Sequence, residues 1–134
     1  MIKQAIMPHC ADAIDTSGQL TLDELIDLIQ QADGLIANST GPLHVAAASG
    51  IHTLGLFPPK SNINPIRWGP IGAYCHTIMS SNQCTQPCQH GACPCMAAIP
   101  VSQVKLIVNA WQHSLQTAKA PIIASHRAYS LENP

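Results

Sequence analysis

The residues best placed to do chemistry lie between positions 36 and 44: Ile36-Ala37-Asn38-Ser39-Thr40-Gly41-Pro42-Leu43-His44. A short apolar run passes through a loop of hydroxyl-bearing residues and glycine into a predicted helix start. Unpaired backbone N–H groups and the helix dipole make such a terminus favourable for an anion. Gly41 lets a phosphate approach the backbone, Ser39 and Thr40 offer hydroxyl hydrogen bonds, and His44 in the first turn adds a donor. The same residues also suit an ordinary capped helix with a buried histidine, and spacing alone leaves both readings open. Lys60, after Phe57-Pro58-Pro59, and the Arg67-Trp68 pair are further candidates for the ligand face. Each has a plainer role beside that one, as a solvated lysine and a loop anchor.

A second cluster is sulfur-rich. Cys84, Cys88, Cys93 and Cys95 fall within twelve positions, with His90 among them, whereas Cys10 and Cys75 stand apart. Four soft ligands in one loop suit a structural zinc ion. The spacing lacks paired C-x2-C knuckles, however, and Cys93-Pro94-Cys95 is tight for a shared site, so zinc, free thiols and disulfides all stay open. The N-terminus shows no apolar secretory stretch, which makes a reducing compartment the expectation and disulfides the least favoured of the three. His9, His52, His76, His113 and His126 have no partners in sequence and read as surface or core residues. Asp23 and Glu24 suit the positive end of a helix dipole and are assigned no catalysis.

The elements that must position these groups follow from periodicity and punctuation. Asp12 to Asp15 is predicted as a short strand ended by a turn at Thr16-Ser17-Gly18. Thr21-Leu22-Asp23-Glu24 fits a capping box, and Leu22, Leu25, Ile26 and Ile29 share one face, which predicts a helix over 22–32. Gly34 to Ala37 reads as a buried strand. Pro42 suits the first position of a helix over 43–49 ended by Gly50, and Thr53 to Phe57 is a second buried strand. Residues 60–72 read as loop and 73–79 as an edge strand. A last helix capped by Ser102 carries Val104, Ile107, Val108, Trp111 and Leu115 on one face. Helices alternating with strands over short links predict an α/β fold with a parallel sheet. The expected organisation is one partial domain over 1–117, with a Cys-rich loop at 84–95, and a tail over 118–134.

Composition narrows the function classes. The 134 residues are 46% hydrophobic but only 10% charged, against a usual level of about 25%. The formal charge of −1 leaves no basic footprint for nucleic acid. No apolar run approaches the roughly 18–20 residues of a membrane span. So few charges on a globular chain imply that part of its surface is normally covered.

The stretch from Leu35 to Ala48, LIANSTGPLHVAAA, resembles the signature of glycosyltransferase family 9, the ADP-heptose:lipopolysaccharide heptosyltransferases. Other stretches agree in order: Thr21 to Leu25, Ala32-Asp33, Gly50 to Phe57, Arg67 to Gly72, Cys95-Met96 and Ile99 to Val104. The resemblance implies a Rossmann-like, three-layer fragment from the latter part of the C-terminal domain of a GT-B glycosyltransferase. That domain holds the nucleotide-sugar donor; the acceptor domain, expected to carry the catalytic base, would lie outside this chain. Also implied are inverting transfer from an ADP-heptose-like nucleoside-diphosphate sugar to a lipopolysaccharide or surface-glycan acceptor, and a cytoplasmic place, peripheral to the inner membrane. Thr40, Gly41 and His44 match the family's phosphate-contacting positions; Ser39 stands where many members carry Asp. No catalytic cofactor is expected. As an isolated piece the chain is expected to be inactive and to self-associate through a cut sheet edge. Two alternatives are a zinc-stabilised interaction module and a nucleotide-sugar epimerase-like protein, the latter lacking the required acid and base groups here.

Overall fold

A computed structural model describes residues 7–60, 62–81 and 94–119. The chain divides into two compact units, Met1–Pro100 and Val101–Pro134. In chain order the first unit contains α1 (Leu22–Gln31), β1 (Gly34–Asn38), α2 (Gly41–Ala48), β2 (His52–Phe57), α3 (Pro65–Trp68), β3 (Cys75–Met79) and α4 (Pro94–Ala97), preceded by a 3-10 turn at Met7–His9. The second contains α5 (Val101–Lys119). The three strands form a parallel sheet in the order β1-β2-β3. The fold is therefore α/β and Rossmann-like, as expected. Among the described residues no helix is long and apolar enough to cross a membrane.

The central strand explains the core. β2 is paired on both edges and runs through Thr53, Leu54, Gly55 and Phe57, all buried. Strands of parallel sheets are covered on both faces, which is why β2 reads as a near-continuous apolar run. Helix α2 lies against it through Leu43 and Ala46, both with no exposed area. Gly55 permits that approach: a Cβ there would meet the Phe57 ring at 2.6 Å and Leu43 Cδ2 at 3.0 Å. β1, by contrast, pairs on one side only among the described residues, and its Ile36 stays 44% exposed.

Helix α1 begins as its capping box requires. The Thr21 backbone N–H donates to Glu24 Oε2 at 2.7 Å, and the Glu24 N–H donates to Thr21 Oγ1 at 3.3 Å. Leu25, Ile26 and Ile29 are shielded, but Leu22, expected on the same face, is 70% exposed in the first turn. In α5 the expected apolar face holds: Val104, Ile107, Val108, Trp111 and Leu115 are the shielded positions and their neighbours are exposed.

Four expectations need correction. Asp12 to Asp15 form no strand; Asp15 Oδ1 instead accepts from the Ser17 N–H at 2.9 Å, and Ile14 is 87% exposed. A short aspartate side chain that satisfies the backbone locally competes with strand pairing. Helix α2 starts at Gly41 rather than Leu43, with Thr40 as N-cap, so Pro42 sits one position inside, where its missing N–H is still harmless. Residues 60–72 read as loop in sequence, yet they contain α3, one turn started by Asn64, whose Oδ1 accepts from the Arg67 N–H at 3.0 Å. Four residues are too few to show a helical period, though Asn followed by Pro is a start signal. Ser102 does not cap α5, which already begins at Val101; Pro100, with φ fixed near about −65°, starts the turn sooner.

Two outcomes follow. Gly55→Ala should cost about 1–3 kcal/mol by overpacking, read from the urea midpoint; an unshifted midpoint would show that Leu43 and Phe57 are not tightly packed there. Hydrogen bonds from the Thr21 N–H and then its hydroxyl hold the Glu24 carboxyl below its ordinary value. That stabilisation is present above the unfolded-state pKa and is lost as pH falls through the lowered folded one. Wild type should thus be more stable than Glu24→Gln at neutral pH, with the gap closing on acidification. A pH-independent gap would remove the charge from the explanation.

Candidate functional site

Parallel pairing sets the strand ends level. Asn38 stands opposite Leu56, Leu56 opposite Ile78, and Phe57 opposite Met79. The Ser80 N–H continues the ladder to the Phe57 carbonyl at 3.1 Å. Three loops therefore leave one edge of the sheet: Ser39-Thr40 after β1, Pro58 onward after β2, and Ser80-Ser81 after β3. In open α/β sheets, ligands bind beyond this carboxyl edge.

The loop after β1 leads directly into α2. Ser39 is half-buried, while Thr40, Gly41 and His44 are exposed. A Cβ built on Gly41 would meet no atom of the described residues within 4 Å, so the backbone there is open on that side. His44 is exposed in the first turn, so the buried histidine of the plainer reading is not found.

The donor set is narrower than a generic helix terminus provides. The first four N–H groups of a helix lack intrahelical partners, but Pro42 has none to give and the Leu43 N–H donates to the Thr40 carbonyl at 3.1 Å. The Thr40 hydroxyl donates to the Asn38 carbonyl at 3.1 Å and makes no cap hydrogen bond. Thr40 would have to give up that bond to donate to a ligand. What stands open is the region of the Gly41 backbone, the Ser39 side chain and the His44 ring.

The other candidates lie in the loop after β2. Lys60 is half-buried in a tight turn: its N–H donates to the Pro58 carbonyl at 2.9 Å, and the Ile63 N–H donates to the Lys60 carbonyl at 3.2 Å. Arg67 is exposed, with its guanidinium carbon 5.3 Å from the Trp68 ring centroid. The Trp68 Nε1–H donates to the Asn62 carbonyl at 3.1 Å, a tether that residue spacing did not show. The described residues of these three loops contain no Asp or Glu, so none of them supplies a carboxylate base.

The sulfur cluster gives less. Cys84, Cys88, Cys93 and His90 lie outside the described residues; Cys95 is buried in α4. No group of metal-ligating side chains forms among the described residues. Cys75 lies at the start of β3, away from the carboxyl edge, and burial pushes its thiol up against the opposing effect of a hydrogen bond with Thr53. That disfavours the reactive thiolate.

A parallel sheet with a glycine-bearing helix start at its carboxyl edge is an arrangement in which α/β domains place ligand sites. The chain belongs to glycosyltransferase family 9 (heptosyltransferase), which matches residues 1–98. Its architecture is accordingly that of a Rossmann-like GT-B fragment. It is also similar to a Haemophilus influenzae protein described as "Putative glycosyltransferase", with 50% identity over 40 residues. That match covers 30% of this chain and 12% of the relative, so the chain corresponds to a small part of that protein's length. No solved structure matches the chain.

Gly41→Ala should leave folding stability unchanged within about 0.5 kcal/mol, or raise it slightly, because the added methyl enters open space. A loss as large as that expected for Gly55→Ala would show that Gly41 serves the fold itself.

Proposed function

We propose that the Ser39–His44 corner holds the diphosphate of a nucleoside-diphosphate sugar, ADP-heptose-like in class, for inverting transfer to a lipopolysaccharide or other surface-glycan acceptor. Membership of a glycosyltransferase family supports transfer of a glycosyl group. The observation that carries the placement is the exposed start of α2 at the carboxyl end of β1, with Gly41 facing open space.

The chemistry explains why these residue types suit the task. As an acceptor hydroxyl attacks the anomeric carbon, the bond to the diphosphate breaks and negative charge accumulates on the leaving oxygens. Fixed N–H donors and a helix dipole stabilise that charge, and one well-placed donor contributes about 3–4 kcal/mol. The Gly41 backbone would lie against the phosphate, His44 would donate from the first turn, and Ser39 would contribute its hydroxyl. Lys60, one loop away, would add positive charge to the same edge. With no carboxylate in these described loops, the base that activates the acceptor would come from elsewhere in the assembled enzyme. Catalysis by this chain alone is not expected.

Gly41→Asp tests the reading without challenging the fold. An acid in the first turn suits the helix dipole, yet it fills the open corner with negative charge. Calorimetry should show binding of adenosine diphosphate to the wild-type chain and none to the variant, with unchanged circular dichroism. Equal affinities would place the anion elsewhere.

A further inference from the structure

We draw no further inference here: the strongest candidate, the surface patch along the β1 edge of the sheet, where Ile36 is 44% exposed and no further strand pairs among the described residues, carries nothing because nothing in the structure shows what covers it.

Discussion

The placement of the Ser39–His44 loop depends on one contact: Leu43 of α2 seated over Gly55 of β2. Leu43 has no exposed area, and the space a Cβ would need at Gly55 is already taken by Leu43 and Phe57. Two residues before Leu43 lies Gly41, and two before that Ser39. Fixing the helix over the strand therefore fixes the loop that joins β1 to α2. Small residues along α2 let it lie close to the sheet; Ala46 is buried as completely as Leu43.

The glycines divide accordingly. Gly50 has φ +73° and closes α2, with its N–H donating to the Ala47 carbonyl. Gly55 and Gly69 sit where a Cβ would collide. Gly41 needs neither a left-handed backbone nor room within its own chain. A glycine that the fold does not demand, at the start of a helix on the ligand edge of a parallel sheet, is the residue type that close approach by a phosphate favours. That is why Gly41, more than the hydroxyls beside it, supports the donor-binding reading.

Periodicity and punctuation made the alternation of helix and strand legible because each signal was local and strong: the Thr21 capping box, the apolar run of β2 and Gly50. They were less informative where the deciding interaction joins residues without a repeating pattern. Nothing in the order Asn62 to Trp68 announces that an indole will donate to a backbone carbonyl six residues earlier. Similarly, the hydroxyl of Thr40 could be read as a ligand donor from its type, but its actual bond to the Asn38 carbonyl depends on the turn of the chain. The candidate loop was legible in outline, as a strand, a glycine-bearing turn and a helix start in sequence. Its detailed donor set depends on which of those donors the backbone has already used.

The scarcity of charge bears on how such an edge would work. Few neighbouring carboxylates compete for the helix start, and among the described residues of its three loops there are none. An anion arriving there would meet Lys60, the Gly41 backbone and His44 without displacing an internal ion pair. The same scarcity leaves a weak long-range field, since the formal charge is only −1. Recognition would then depend on contacts made at the edge rather than on steering from a distance. A helix start that the core has already fixed suits that regime, because little entropy is lost in assembling it when an anion arrives.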